Sequence, residues 1–200
     1  MSEQQQTLTV EQAMELAVQH HKEGRLSQAE TICNQILQSN PDQPIALHLL
    51  GAIAHQKGRN DTAVDLITKA LAINPDVAEA HNNLGLAFHD LGKLDDALTN
   101  YRNALAIRPH FAEAFYNQGN TLRELDRLEE AITSYGKALA IKSDYAKVHN
   151  NLGNTLRNLN KLDQAMASYR KALNIHPNYA EAHSNLGLVL RDIGKPEDAI

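Results

Sequence analysis

The chain repeats itself every 34 residues, and this period constrains its fold more than any other feature. Four rows of residues keep the spacing: Gly51, Gly85, Gly119, Gly153 and Gly187; Ala29, Ala63, Ala97, Ala131, Ala165 and Ala199; Ala70, Ala104, Ala138 and Ala172; and Pro41, Pro75, Pro109 and Pro177, with Ser143 in the gap. Rows that share one period of this length are typical of stacked copies of a small structural unit. The sequence therefore predicts a repeat array.

The repeat boundaries follow from taking Val10 as position 1 of the first repeat. The repeats are 10–43, 44–77, 78–111, 112–145, 146–179 and a partial sixth at 180–200. We expect residues 1–9 to form a disordered leader. The sixth repeat stops after 21 of its 34 residues, whereas a solenoid normally ends in a capping element. We therefore expect the sequence to be part of a longer protein.

Each repeat has the pattern of two short helices. In the third repeat Leu84, Phe88 and Leu91 share one helical face, and Gly92 then interrupts the pattern. A second stripe follows at Ala97, Tyr101, Ala104 and Leu105. Strand signals are missing from the pattern, so the sequence predicts an all-α protein.

Two local features carry specific structural predictions. Asp76 with Glu79, and Asn178 with Glu181, have the spacing of capping boxes at the start of first helices. A glycine such as Gly85 would let two helix backbones approach closely. We expect the tyrosines at one position of three successive repeats to be packing residues; they are Tyr101, Tyr135 and Tyr169.

Composition excludes several classes of function. With 42% hydrophobic and 22% charged residues the chain is typical of a folded protein. A net charge of −5 argues against nucleic-acid binding, as do Glu79, Glu113 and Glu181 at position 2 of their repeats. The apolar runs are too short to cross a membrane, and the start lacks a signal-peptide pattern. We therefore expect a cytoplasmic protein that needs no disulfide, since Cys33 is its single cysteine.

Residues 81–109, HNNLGLAFHDLGKLDDALTNYRNALAIRP, carry a family resemblance. A 34-residue unit with Leu-Gly, a downstream alanine, an aromatic residue, a second alanine and a closing proline resembles the tetratricopeptide repeat. The resemblance covers 10–200; the first repeat is the most divergent, with Ala17 and Cys33 where later repeats have glycine and an isoleucine or tyrosine. It implies a right-handed superhelical solenoid whose first helices line a concave groove that binds an extended peptide or a partner protein.

Asparagines recur along this expected groove. Asn83, Asn117, Asn151 and Asn185 occupy position 6 of four successive repeats, with Asn82, Asn120, Asn150 and Asn154 at neighbouring positions. A carboxamide offers both a donor and an acceptor, which matches the two polar groups of a peptide bond. The ladder predicts a groove that holds polypeptide backbone. Arg123, Arg157 and Arg191 at position 12 add candidate ligand contacts. The alternative is that these side chains only form local hydrogen bonds, and that recurrence reflects repeat duplication.

A narrower resemblance rests on the segments AEAHNNLG, AKVHNNLGN and AEAHSNLG. These look like the repeats of protein O-linked N-acetylglucosamine transferases and their bacterial relatives. In that family a tetratricopeptide superhelix precedes a glycosyltransferase domain, and groove asparagines hold the substrate polypeptide. The resemblance implies that these residues form the non-catalytic, N-terminal part of such a protein.

The residues give less support to other classes of function. The chain lacks a recognisable nucleophile motif or phosphate loop, so we expect no enzyme activity and no cofactor within these 200 residues. His81, His149 and His183 fall one per repeat without accompanying ligands, so we expect no metal site. The lysine and arginine clamp that grips terminal carboxylates in some tetratricopeptide proteins is reduced to Lys147. The second hypothesis is an assembly scaffold that binds a folded partner or self-associates through an uncapped end at Leu186, Leu190, Ala199 and Ile200.

Overall fold

Helices alternate regularly along the chain in a computed structural model, which describes residues 9–194. The first helices of the repeats are α1 (Val10–Lys22), α3 (Pro44–Gln56), α5 (Ala78–Asp90), α7 (Ala112–Glu124), α9 (Ala146–Asn158) and α11 (Ala180–Asp192). The second helices are α2 (Leu26–Ser39), α4 (Asn60–Ile73), α6 (Leu94–Ile107), α8 (Leu128–Ile141) and α10 (Leu162–Ile175). Residues 9–194 contain no strand. The all-α repeat prediction is confirmed, and each first helix begins at the predicted repeat boundary.

Some predicted features lie partly outside the described residues. These are the expected leader, of which only Thr9 is described, and the second helix of the sixth repeat with Ala199 and Ile200. Thr9 is the N-cap of α1: its hydroxyl accepts a hydrogen bond from the amide of Gln12, whose side chain accepts one in return from the Thr9 amide.

The helices pack into two units, one ending at Ile107 and one starting at Arg108. Within the first unit α3 contacts both α1 and α5, and within the second α9 contacts both α7 and α11. Second helices of the same unit make no such contact with each other among residues 9–194. Because the first helices touch and the second helices do not, the first helices form the inner side of each unit.

A residue with left-handed backbone conformation stands at position 15, after the first helix of each repeat, and in the five complete repeats it joins that helix to the second. Gly24, Gly58, Gly92 and Gly194 have φ between 72° and 77°, a region that glycine enters without steric cost. Asp126 and Asn160 take the same position with φ of 58° and 56°. The next amide then bonds back five residues, as from Arg127 to Leu122 at 2.9 Å, which closes the first helix.

The predicted capping boxes are wrong. The N-cap residues of α5 and α11 are Val77 and Tyr179, one position after Asp76 and Asn178, and neither makes a side-chain cap bond. Both N-cap residues are half-buried at the turn between repeats, and Val77 packs against the hydrophobic core of the first unit.

Tyr101, Tyr135 and Tyr169 are fully buried, which confirms them as packing residues. A Cβ added to Gly85 would lie 2.6 Å from Cε1 of Tyr101, and the same contact at Gly119 would be 2.5 Å from Tyr135. The glycine therefore makes room for a tyrosine ring from the second helix. At the equivalent Gly51 a Cβ would also lie 3.3 Å from the backbone oxygen of Ala63, as expected for helices whose backbones approach closely.

The histidines at position 4 fix the turn between repeats. Nε2 of His81 lies 3.0 Å from the carbonyl oxygen of Pro75, and Nε2 of His183 lies 2.7 Å from that of Pro177. His149 makes the same contact with Ser143 at 3.1 Å. Each imidazole N–H thus donates to a carbonyl six residues earlier, including the repeat in which serine replaces proline.

Candidate functional site

The asparagines of the second unit form a connected network between first helices. Nδ2 of Asn151 donates to Oδ1 of Asn120 at 2.8 Å and to the Tyr116 hydroxyl at 3.4 Å, which ties α9 to α7. Nδ2 of Asn185 donates to Oδ1 of Asn150 at 3.1 Å, which ties α11 to α9. The position-6 asparagines Asn151 and Asn185 therefore link neighbouring repeats.

Asn150 has a second bond in the same direction. Its Nδ2 donates to Oε1 of Glu181 at 2.9 Å, and the Asn150 side chain is fully buried. Two hydrogen bonds thus connect position 5 of this repeat with positions 2 and 6 of the next. A buried carboxamide with both groups paired stabilises the repeat interface, whereas an unpaired one would destabilise it.

Tyrosine hydroxyls orient the asparagines at position 9. The Tyr135 hydroxyl donates to Oδ1 of Asn120 at 2.8 Å, and the Tyr169 hydroxyl donates to Oδ1 of Asn154 at 2.7 Å. Both asparagines are half-buried on the first-helix side. Because Oδ1 is held by the tyrosine, Nδ2 points the other way. Neither Nδ2 has a hydrogen-bond partner in the described part of the chain.

In the first unit the position-6 asparagine has a different partner. Nδ2 of Asn83 lies 3.0 Å from Nε2 of His48, the position-5 residue of the preceding repeat. Burial lowers the pKa of His48, an effect opposed by the nearby Glu79 carboxylate. A neutral imidazole can accept the amide hydrogen through Nε2, so the link between α5 and α3 follows the same positions as the link between α11 and α9.

The other predicted site residues are distributed between core and surface. Asn82 and Asn117 are buried, at 3% and 7% exposure. Arg123 and Arg157 are half-buried and Arg191 is exposed. Nη1 of Arg157 is buried without a hydrogen-bond partner in residues 9–194. The arginine row therefore holds a donor that the described protein does not satisfy.

A tyrosine cluster borders the network, and the sequence reasoning missed it. The ring of Tyr116 lies 5.3 Å from that of Tyr145 and 6.4 Å from that of Tyr135. Burial raises the pKa of Tyr145 and raises that of Tyr169 to about 12, so both phenols stay protonated and can donate. The signal was present at position 34 of the repeat, which holds Val77, Phe111, Tyr145 and Tyr179.

The arrangement offers hydrogen bonding and aromatic packing. Among residues 9–194 no three histidine, cysteine, aspartate or glutamate side chains come together as a metal-binding group. Over the same residues, none of the helices has the length and apolar character that a bilayer crossing requires.

Comparison with known families decides the class of the chain. A sequence model of the family described as TPR repeat matches residues 51–92, 86–122, 119–159 and 153–194. The chain belongs to the tetratricopeptide repeat family. The matches begin in the second repeat, in agreement with the divergence of the first repeat of this tetratricopeptide protein.

Solved structures share the fold of this tetratricopeptide chain. PilW, a widely conserved type IV pilus biogenesis factor, has a TM-score of 0.87 at 21% identity, over 96% of this chain and 90% of its own. YrrB, described as a TPR protein with an unusual peptide-binding site, scores 0.71 at 20% identity, over 87% and 90%. TTC0263, a thermophilic TPR protein in Thermus thermophilus, scores 0.72 at 24% identity, over 92% and 100%. No curated protein matches the chain. At these identities the structures show a common fold.

Proposed function

We propose that the chain is a non-catalytic module that binds an extended polypeptide along its first helices, with asparagine carboxamides holding the ligand backbone. Tetratricopeptide repeats in general bind proteins or peptides. The observation that carries the proposal here is the orientation of Asn120 and Asn154. Each has Oδ1 fixed by a tyrosine hydroxyl, and each leaves an Nδ2 donor for a ligand carbonyl.

The spacing of these donors suits a repeating ligand. Asn120 and Asn154 occupy the same position of neighbouring repeats, on first helices that contact each other. A peptide backbone presents carbonyl groups at regular intervals whatever its side chains. Two oriented amides can therefore contact the backbone of many sequences, while Arg123 and Arg157 supply further donors along the same side.

The position-6 row has a double role in this proposal. Asn151 and Asn185 hold repeats together through Nδ2, and Oδ1 of Asn185 has no partner among residues 9–194. Replacing Asn83, Asn117, Asn151 and Asn185 together would weaken repeat contacts as well as ligand contacts. Position 9 carries fewer of these links: the bond of Asn154 to Tyr169 stays within one repeat, and Asn120 accepts one bond from the next repeat, from Asn151. A test at position 9 therefore disturbs a single link between repeats, and helicity and urea stability are measured alongside binding.

The test compares Asn120→Ala combined with Asn154→Ala against the wild-type chain. The probes are fluorescein-labelled 12-residue peptides selected from a random display library on the wild-type chain, and affinity is read by fluorescence anisotropy. Two lost hydrogen bonds at about 0.5–1.5 kcal/mol each predict roughly 5- to 150-fold weaker binding. Asn103→Ala, at an exposed second-helix position, is the matched control. Unchanged affinity in a double variant of normal helicity would show that these amides do not hold the ligand.

The larger protein context is a separate proposal. The HNNLG-type segments support a role as the N-terminal module of a glycosyltransferase-like protein, presenting polypeptide to a catalytic domain. Reading the gene beyond codon 200 tests this directly: a glycosyltransferase sequence supports it, and a different domain contradicts it. The cytoplasmic location stays a prediction.

Self-association is the alternative function. Leu186 of α11 is half-buried, and an apolar side chain at the last described helix can pack against a second copy. Light scattering at rising concentration tests this alternative. A constant monomer mass would exclude it, whereas a dimer dissociated by Leu186→Asp would support it.

A further inference from the structure

A cavity of about 430 Å³ lies where α9 begins and α10 ends, and we name it the tyrosine pocket. Its walls are formed by Tyr145, Ala146, Lys147, Ile175, His176 and Tyr179. All six residues belong to the second unit. A space of this size is within the range of small-ligand sites and can hold a large side chain.

The walls of the tyrosine pocket suit an aromatic ring. The ring of His176 meets that of Tyr179 edge-on at 5.9 Å, and the ring of Tyr116 packs against that of Tyr145 at 5.3 Å in a tilted arrangement. Ile175 keeps 38% of its surface exposed although it is a large apolar residue. Another ring in this space would cover Ile175 and extend the tilted and edge-on packing that aromatic groups prefer.

The charges at the pocket suit an acidic neighbour. Position 2 of the repeat is glutamate at Glu11, Glu79, Glu113 and Glu181 but Lys147 here, so α9 has no acidic residue in its first turn. Nζ of Lys142 lies 5.1 Å from the centre of the Tyr145 ring, which places a second cation beside the wall. None of the six lining residues is a carboxylate.

Three acidic residues lie near the pocket, and none of them is among its lining residues. The Glu181 carboxylate accepts hydrogen bonds from Asn150 at 2.9 Å and from the Tyr179 hydroxyl at 3.5 Å, which fixes it in the asparagine network. Glu113 acts electrostatically on Tyr145, and Asp144 precedes that tyrosine at an exposed position. Lys147 is thus the charged side chain that lines the cavity itself.

We infer that the tyrosine pocket binds an aromatic side chain that stands next to an acidic residue in a partner polypeptide. The inference rests on the proposed function only in taking an extended polypeptide as the ligand. The carboxamides would hold the backbone of many sequences, and the tyrosine pocket would select among them by the pair of ring and carboxylate. Selectivity of this kind arises from a few charged and aromatic contacts within a larger, tolerant surface.

The experiment uses the 200-residue chain labelled with ¹⁵N and three acetylated, amidated hexapeptides. Their sequences are Ser-Gly-Phe-Asp-Gly-Ser, Ser-Gly-Phe-Lys-Gly-Ser and Ser-Gly-Ala-Asp-Gly-Ser. Titrations followed by ¹H–¹⁵N correlation spectra report the site and the dissociation constant of weak ligands. We expect shifts at Ala146, Lys147 and His176 with the first peptide, and at least threefold weaker binding of the other two. Equal binding of the three peptides, or the lack of shifts at the pocket, would overturn the inference.

Variants then separate the pocket from general effects on folding. Ile175→Asp places a carboxylate in the cavity and should abolish the shifts, whereas Ile73→Asp, at an isoleucine with 46% exposure in the first unit, should leave them unchanged. Lys147→Glu restores the residue of other repeats and should reverse the order of the Phe-Asp and Phe-Lys peptides. An unchanged order would refute the acidic part of the inference.

The same assay distinguishes this inference from the proposed function. The Asn120→Ala and Asn154→Ala double variant should bind the Phe-Asp hexapeptide with wild-type affinity, because neither asparagine lines the pocket. If the hexapeptide binds as expected but the library peptides bind the double variant and the wild-type chain with equal affinity, only the carboxamide proposal fails. If the library peptides bind the double variant more weakly than the wild-type chain but the hexapeptide does not bind at all, only the pocket inference fails.

Discussion

The fit between Gly119 and Tyr135 gives the sharpest prediction of stability. In Gly119→Ala the new Cβ would lie 2.5 Å from Cε1 and 2.7 Å from Cδ1 of a ring with no solvent exposure. Such overpacking costs about 1–3 kcal/mol. Moving the ring would also disturb its 2.8 Å bond to Asn120, worth about 1 kcal/mol. The higher helix propensity of alanine returns about 1 kcal/mol, so we expect a net loss of about 1–3 kcal/mol.

Gly136 provides the matched control for this substitution. It lies in α8, and a Cβ added there has no neighbour within 4 Å. Gly136→Ala should therefore raise the free energy of unfolding by about 0.5–1 kcal/mol. Urea denaturation followed by circular dichroism measures both variants. A Gly119→Ala variant as stable as Gly136→Ala would refute the claim that the Tyr135 ring fills the space of a side chain at position 119.

The first repeat supplies the compensating change. Ala17 and Cys33 occupy the positions of Gly119 and Tyr135, and both are fully buried. Tyr135→Cys alone should leave a cavity costing about 3–5 kcal/mol, as for other large-to-small aromatic substitutions. Combined with Gly119→Ala, the loss should be smaller than the sum by at least about 1 kcal/mol. Strict additivity in this double-mutant cycle would mean that the two positions do not share one space.

Three further predictions follow from the described structure. Burial lowers the pKa of His48 and of His149 in the folded chain, so below about pH 6.5 the unfolded chain binds more protons than the folded chain. The free energy of unfolding should therefore fall from pH 7.5 to 5.5, and less steeply in His149→Gln than in the wild type; equal slopes in urea titrations would contradict this. Burial raises the pKa of the Cys33 thiol to about 11, so a chromogenic disulfide reagent at pH 8 should react with it only slowly until urea unfolds the chain; immediate reaction would contradict the burial. Asp126→Gly removes a non-glycine residue from φ of 58° and should stabilise the chain by up to about 1 kcal/mol. Gly58→Ala, at φ of 73°, should destabilise it by about 1 kcal/mol. The opposite order of the urea midpoints would contradict the claim that left-handed backbone at position 15 favours glycine.

The repeat period was sufficient to predict where the first helices begin, because it records packing that recurs at every unit. The helix caps were not predictable in the same way. Asp76 has the residue type and spacing of a cap, but the N-cap of α5 is Val77, a half-buried residue that packs against the hydrophobic core. Local hydrogen-bonding preference lost to tertiary packing, which sequence spacing alone does not report.

The candidate site was predictable in composition but not in connectivity. Periodicity indicated that asparagines share a face, and the structure adds that Asn151 and Asn185 donate to neighbouring helices. The hydrogen bonds of a carboxamide depend on residues 31 to 35 positions away in the sequence, as Asn151 bonds to Asn120 and Tyr116. The tyrosine pocket was not predicted because its walls come from the ends of different helices, which repeat spacing alone does not bring together.

The links between first helices have a consequence for how the array comes apart. In both units a donor at position 6 reaches position 5 of the repeat before it, as from Asn83 to His48 and from Asn185 to Asn150. Each such bond stabilises only one junction between two repeats, so fraying at a terminal repeat leaves the junctions farther inside intact. The rate of native-state amide hydrogen exchange should therefore vary gradually within each unit. It should be fastest in the helix pairs at the ends of a unit and slowest in its middle, without a single cooperative opening.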